Sequence, residues 1–231
     1  MSGRAWAVAT AVTGVVSLAL FVVFATLPEM RAAAACLPPG SVVQFEFARN
    51  AADLATIFDA PDSACRPLAI AAMDAVNRVD IIAFIPAYTA FCICAALFLA
   101  NGVWQRPLVI IAIGAALLAA AGDYLETTTL LAITQSLDAP GGLLQYSQLG
   151  AWSKFALLAA HAVFCAGICY TSDHKRYTLG AILLLPPFGV AAAAYDHITL
   201  SNVMNASFAA AWVALLVFAI ISVVRARRAS A

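Results

Sequence analysis

The chain has few charged residues for its length. Only 10% of its 231 residues are Asp, Glu, Lys or Arg, whereas 64% are hydrophobic, and the mean hydropathy is +0.94. A soluble domain carries roughly 25% charged residues, so this composition cannot cover a globular surface with water-facing groups. The net charge is zero and no basic stretch resembles a nucleic-acid footprint, which argues against nucleic acid as a partner. The shortage of charge therefore predicts an integral membrane protein whose partner is the lipid bilayer.

The sequence also lacks the spacings typical of metal sites and redox pairs. None of its six cysteines forms a Cys-x-x-Cys motif. The apolar runs contain neither a His-x-x-x-His nor a Glu-x-x-His pair, the helical spacings that would suit a metal. We therefore predict no metal site and no cofactor. Four cysteines lie in apolar runs, where a free thiol acts as a small hydrophobic residue: Cys92, Cys94, Cys165 and Cys169.

Six apolar runs are long enough to cross the hydrocarbon core, which is about 30 Å thick and needs about 20 helical residues. They cover residues 5–27, 80–100, 107–134, 151–171, 177–195 and 203–224. We expect an all-α, polytopic transmembrane helix bundle that forms a single domain over residues 1–231. Proline should disturb two spans: Pro86 should kink the second, and Pro186-Pro187 should interrupt the fifth near its middle.

Charges between the runs predict their orientation. At the chain ends and in the short loops, Lys and Arg lie on one side of the bundle, at Arg4, Arg106, Lys175, Arg176 and the Arg225–Arg228 stretch. The short loops on the opposite side contain Asp138 and Asp196 without any Lys or Arg. Because cytoplasmic loops are rich in Lys and Arg, both termini are predicted to be cytoplasmic.

Residues 28–79 then form one long extracytoplasmic, interfacial segment. The stretch 41–47 alternates partly like an edge strand, although it could equally lie along the interface. Asn50 is expected to cap one helix, and a second helix should run from Asp62 or Ser63 toward Asp80. The segment is either a lid over the bundle or a packed collar around it.

Two cysteines of this segment, Cys36 and Cys65, are candidates for a disulfide, because the compartment should be oxidising. Such a bridge would stabilise the loop by about 3 kcal/mol. Sequence alone leaves their pairing open.

Ionisable residues from three spans are expected at one depth, in the outer half of the bilayer. Asp123 and Glu126 lie three residues apart in the third span, and Thr127 shares their helical face. Asp80 begins the second span, and Lys154 lies near the start of the fourth. A carboxylate that faces lipid costs several kcal/mol, so these side chains should face the bundle interior or its mouth. They are the predicted binding residues, and the catalytic candidates among them are Asp123, Glu126 and Lys154.

Two deeper residues complete the predicted binding set. Tyr88 follows Asp80 by eight residues, and His161 follows Lys154 by seven. Each member of the set also has a structural explanation. Asp80 could only cap a helix, Lys154 could extend to the interface, and His161 could be a neutral, hydrogen-bonded core residue. The acids and Lys154 could form an ion pair that only holds helices in register.

The charge count bears on this choice. Asp80, Asp123 and Glu126 bring three negative charges against the single positive charge of Lys154. A purely structural network should balance, because unpaired buried charge is expensive. The surplus implies a protonated acid, a bound cation or amine, or good access to water.

Four short elements carry a family resemblance, which covers roughly residues 40–171. They are Phe45-Glu46-Phe47-Ala48 after the first span, Asp80 with Tyr88 in the second, Asp123 with Glu126 in the third, and Lys154 in the fourth. The chain thereby resembles an uncharacterised family of small bacterial polytopic membrane proteins. In that family the elements read F-E-[FL]-A, Asp with Tyr eight residues on, D-x-x-E and Lys, and an Asn commonly stands where this chain has Thr127. The resemblance implies a bacterial cytoplasmic membrane and supports the choice of residues, but it implies no activity.

Three functional hypotheses remain. The first is an outward-facing intramembrane pocket that binds a small molecule or lipid, with or without chemistry. In an enzyme, Glu126 or Asp123 would be the acid/base, Lys154 would stabilise an anionic group, and Tyr88 and His161 would orient the substrate. The second is a proton- or cation-coupled transporter, which ranks lower because no ionisable residue lies in the inner half of any span. The third is a structural or assembly subunit, and the sequence indicates no oligomeric state.

Overall fold

The computed structural model describes residues 3–172, 175–197 and 199–228, and within them the regular structure is helical. Six helical stretches are long and apolar enough to cross a membrane: Gly3–Ala32, Cys65–Leu99, Pro107–Thr134, Leu143–Thr171, Tyr177–Tyr195 and Ser201–Arg228. The predicted all-α class is therefore confirmed, and the chain is a multi-pass membrane protein. The side of the membrane on which each terminus lies stays a prediction.

The stretches resolve into eleven α-helices and one π-helical turn among the described residues. The helices are α1 (Gly3–Thr26), α2 (Pro28–Ala32), α3 (Ser41–Glu46), α4 (Ala51–Phe58), α5 (Cys65–Val79), α6 (Ile85–Leu99), α7 (Pro107–Thr134), α8 (Leu143–Thr171), α9 (Tyr177–Leu183), α10 (Leu185–Tyr195) and α11 (Ser201–Arg228). The π-helical turn spans Asp80–Phe84 and joins α5 to α6.

The helical stretch that contains the second predicted span begins before that span. Asp80 does not begin a helix, because α5 leads into it without a break and the helical stretch continues to Leu99. The π turn, in which the Ile85 N–H bonds to the Asp80 carbonyl, immediately precedes Pro86. Proline has no N–H to donate and clashes with the preceding turn, so a widened turn is a physical way to continue the helix past it. Asp80 is thus placed at a local irregularity in the middle of a long helix.

The stretch 41–47 is not a strand. Ser41–Glu46 forms the short helix α3, which follows Gly40 in the left-handed conformation at φ 78°. An isolated strand would leave its backbone groups without partners, whereas a helical turn satisfies them locally. Farther along the segment, Asn50 caps α4 through bonds from the N–H groups of Ala52 and Asp53, as the sequence predicts.

Two other span boundaries also bear on the site. α8 begins at Leu143, before the predicted fourth span, so Lys154 lies three helical turns inside the helix. The fifth span is interrupted as predicted: α9 ends at Leu183 and α10 begins at Leu185, with proline in its first turn. Proline is tolerated there because the first N–H groups of a helix have no internal partner.

The chain divides into two compact units, and long helices contribute residues to both. The apolar unit comprises residues 1–18, 87–119 and 155–231, and the polar unit comprises residues 19–86 and 120–154. The core of the apolar unit includes Phe91, Leu99, Cys165, Ile168 and Leu215. The core of the polar unit packs residues of α3, α4 and α5 against those of α7 and α8, including Phe45, Ile57, Phe58, Met73, Leu130 and Ile133.

A carboxylate cluster around Lys154

Lys154 on α8 lies at the centre of a buried group of acids in the polar unit. Its Nζ is 2.7 Å from Glu126 Oε2, 3.1 Å from Asp123 Oδ1 and 3.5 Å from Glu46 Oε1. The side chains of Lys154, Asp123 and Glu126 are 7%, 3% and 1% exposed. Two predicted site residues from the third span therefore meet the predicted lysine of the fourth.

Asp80 approaches the same group from the π turn. Its Oδ2 accepts a hydrogen bond of 3.1 Å from the Thr127 hydroxyl, and it interacts electrostatically with Asp123 and Lys154. The neighbouring carbonyl of Ile81 accepts a bond of 3.3 Å from the Tyr124 hydroxyl, which adds a second link from the turn to α7. Asp80 and Thr127 thus belong to the cluster, which we call the Lys154 cluster: Glu46, Asp80, Asp123, Glu126, Thr127 and Lys154.

A pair of glycines brings α7 and α8 close enough for these contacts. A Cβ atom on Gly150 would lie 2.6 Å from the Glu126 nitrogen, and one on Gly122 would lie 2.5 Å from Ser153 Oγ and 3.1 Å from the Lys154 nitrogen. Only glycine permits such an approach, because the two backbones are almost in contact. Sequence reasoning missed this crossing, although each glycine lies four residues from a charged member of the cluster.

Glu46 was also missing from the predicted site. It comes from the segment between the first two candidate spans, where Phe45 and Phe47 on either side of it are each 1% exposed. Phe45 contacts Phe58 edge-on at 4.9 Å, and Phe47 packs at 4.8 Å on Trp152, two residues before Lys154. The available signal was a single acid between two aromatic residues, within the element that carries the family resemblance.

Electrostatics at Glu46 follow from its placement. Burial raises the pKa of the Glu46 carboxyl above its ordinary value, and the positive charge of Lys154 opposes this rise only in part. The negative charge of Asp123 raises the pKa further. Its Oε2 atom is buried and has no hydrogen-bond partner among the described residues. Glu46 therefore favours the protonated form more than an exposed glutamate does.

The cluster as a whole contains more acid than base. Four carboxyl groups and one ammonium group act on one another in the described part of the chain: Glu46, Asp80, Asp123, Glu126 and Lys154. If all were ionised, the net charge would be three negative, and unpaired buried charges are expensive. Protons, a cationic ligand or water must therefore share the site with these side chains.

Tyr88 and His161 belong to the apolar unit and have partners there. The Tyr88 ring stacks on Trp212 at 5.7 Å between ring centroids. His161 Nδ1 lies 3.0 Å from the Ala112 carbonyl, and its Nε2 lies 3.4 Å from Cys165 Sγ. Hydrogen bonding at both ring nitrogens gives His161 a structural explanation. A binding role for either residue stays a prediction.

A disulfide joins Cys36 to Cys65, with 5.3 Å between the two Cα atoms. It connects the chain between α2 and α3 to the first residue of α5. Beside it, Arg66 pairs with Asp138 at 2.6 Å. The segment that contains Glu46 is thus covalently tied at its N-terminal side.

No group of three or more His, Cys, Asp and Glu side chains is arranged to hold a metal ion within the described residues. Comparison of the chain with family models, with curated proteins and with solved structures finds no match.

Proposed function

We propose that this membrane protein binds a small molecule or lipid at the Lys154 cluster, from the extracytoplasmic side of a bacterial cytoplasmic membrane. One observation carries the proposal: four carboxyl groups share a single ammonium group in a buried site. An ion-pair network that serves only packing is expected to balance its charges. An acid surplus is instead typical of a site that exchanges protons or binds a partner.

The position of the extracytoplasmic segment indicates the direction of access. Glu46 is the one charged member of the cluster that lies outside the six candidate spans, and its side chain is 16% exposed. The positive-inside pattern puts this segment outside the cytoplasm, and the Cys36–Cys65 bridge suits an oxidising compartment. A ligand would therefore reach the cluster past α3.

The cluster also contains the groups that acid/base chemistry needs. Glu126 and Asp123 would exchange a proton with a bound substrate, and Lys154 would stabilise negative charge that develops on it. Catalysis would require binding first, because Lys154 is already in contact with acids. A substrate must displace these contacts or join them.

The rival hypothesis is a structural subunit, and the close contacts of Lys154 favour it. A double-mutant cycle with Asp123→Asn and Lys154→Met distinguishes the two. If the double variant regains the thermal stability that each single variant loses, the pair serves packing. If it stays unstable or loses a bound ligand, packing alone does not explain the pair.

The proposal is tested by native mass spectrometry of the detergent-purified protein. We expect an adduct on the wild type that is lost in Asp80→Asn, because Asp80 is a partly buried acid of the cluster and its replacement removes one negative charge from the site. Asp62→Asn is the matched control, since it removes the same charge from an exposed position of the extracytoplasmic segment. Absence of any adduct, or equal loss in both variants, would reject the proposal.

A further inference from the structure

A groove of about 650 Å³ lies between α2 and α5, in the polar unit and apart from the Lys154 cluster. Its charged walls are Glu29 of α2 and Arg66, Asp74 and Arg78 of α5. Ile70 and small residues of α5 form its apolar floor. The two acids and two arginines give the groove zero net charge, but it contains both positively and negatively charged side chains.

The groove is located at the level of lipid headgroups. The 24 residues of α1 measure about 36 Å at 1.5 Å per residue, which is enough to cross a core of about 30 Å. α2 follows α1 directly, so it lies at or beyond the edge of the core. The stretch Cys65–Leu99 has 35 residues, about 52 Å, and its excess length likewise puts much of α5 beyond the core.

The charged side chains of the groove differ in how firmly they are held. Arg66 is 14% exposed and paired with Asp138 at 2.6 Å, whereas the Arg78 side chain is 71% exposed and 3.8 Å from Asp74. Asp74 accepts a hydrogen bond of 2.7 Å from the Thr134 hydroxyl through its other oxygen. Arg78 therefore has donors left for a ligand, and the acid beside it is fixed in position.

We propose that this groove binds the headgroup of a zwitterionic phospholipid with a primary ammonium, of the phosphatidylethanolamine type. Arg78 donates to the phosphate, since guanidinium suits phosphate oxygens. Glu29 and Asp74 accept from the ammonium group, which has three donors. The acyl chains lie against apolar side chains that face outward below the groove, such as Phe21 and Ile82, which are 64% and 77% exposed.

The test is a lipid titration of the detergent-purified full chain, followed by native mass spectrometry. Phosphatidylethanolamine, phosphatidylcholine and phosphatidylglycerol with matched acyl chains are compared. We expect phosphatidylethanolamine to be retained most, because phosphatidylcholine has no ammonium hydrogens to donate and phosphatidylglycerol has no cation. Equal retention of the three lipids would overturn the proposal.

Two variants assign the binding to the groove. Arg78→Gln should weaken phosphatidylethanolamine binding about tenfold, the loss of roughly one charge-assisted hydrogen bond. Glu29→Gln should reduce the preference for phosphatidylethanolamine over phosphatidylcholine. The control is Arg31→Gln, because Arg31 is an exposed arginine of the same helix α2 that does not line the groove. A loss in Arg31→Gln as large as that in Arg78→Gln contradicts the proposal.

A soluble probe separates a lipid from a water-soluble ligand of the same chemistry. O-phosphorylethanolamine should not raise the melting temperature, since most of the lipid's affinity comes from the bilayer around its chains. Stabilisation by this probe, removed by Arg78→Gln, would overturn the assignment to lipid. The Asp80→Asn variant should keep the phosphatidylethanolamine adduct, so failure at the Lys154 cluster and failure at the groove are distinguishable.

Discussion

The two units of this protein bury polar groups in opposite ways. In the apolar unit, His161 has partners at both ring nitrogens, and Arg176 donates to the Leu99 carbonyl while lying over the rings of Phe98 and Phe218. In the polar unit, one lysine is shared by several acids and the charges do not balance. Burial of a polar residue is therefore weak evidence for function, whereas an unbalanced buried network is stronger evidence.

The largest expected effect comes from removing the cation of the polar unit. Lys154→Met should destabilise the protein by about 3–5 kcal/mol, because it leaves buried acids without their partner. Chemical unfolding in detergent micelles, followed by circular dichroism, measures the loss. The chain has two lysines in all, so Lys175→Met is the matched control. Lys175 is exposed, and its replacement should change stability by no more than about 0.5 kcal/mol. Equal stability of the two variants would contradict the central role of Lys154.

The next effect concerns the covalent tie in the polar unit. Replacing both Cys36 and Cys65 with serine should cost about 3 kcal/mol, since the bridge closes a loop between residues 29 positions apart. Dithiothreitol should lower the melting temperature of the wild type and leave the double variant unchanged. The free cysteines of the apolar unit serve as the comparison, because Cys92→Ser should leave the sensitivity to dithiothreitol intact. A wild type insensitive to reductant would show that the bridge does not stabilise the fold.

A smaller effect distinguishes the close helix crossing from an ordinary helical glycine. Gly150→Ala should cost about 1–3 kcal/mol, because the added methyl group meets the backbone of Glu126 and must push α7 and α8 apart. Gly114→Ala, in the α7 stretch that belongs to the apolar unit, meets nothing within 4 Å and should be neutral or slightly stabilising. Thermal unfolding of the two variants checks the opposite signs. Equal effects would show that α7 and α8 are far enough apart at Gly150 to accommodate a methyl group.

The smallest expected effect is a change in pH dependence. The pKa of Glu46 is raised in the folded protein above its ordinary value of 4.5, so folding favours the protonated carboxyl. Below pH 4.5 the group is protonated in both the folded and the unfolded state, so its titration does not make the free energy of unfolding depend on pH. As pH rises from there toward the folded pKa, the folded state holds the proton longer, so stability falls.

Glu46→Gln removes this dependence. The melting temperature of the wild type, relative to that of the variant, should therefore decrease as pH rises above 4.5. A wild-type melting temperature that rises relative to the variant over this range would show that Glu46 is stabilised as the carboxylate. Asp62→Asn, an exposed acid of the same segment, supplies the control curve.

Particular residues show how far sequence reasoning reached. Asp123, Glu126 and Thr127 were grouped correctly because helical spacing puts residues three and four apart on one face. Glu46 was missed because it is distant in sequence and outside the apolar runs, so only tertiary packing of Phe45 and Phe47 brings it to Lys154. The π turn at Asp80 also escaped prediction, since proline indicates a disturbance without specifying its form.

The solvent and the class of fold follow from composition and hydropathy alone. Its scarcity of charge and its six long apolar runs leave helices in a bilayer as the arrangement that satisfies every backbone group. Tertiary structure decided which charges meet. The close approach of α7 and α8 at Gly122 and Gly150, together with the packing of α3, brings the acids to Lys154. These contacts depend on distances of a few ångströms between segments that are far apart in the chain, and the sequence does not specify such distances.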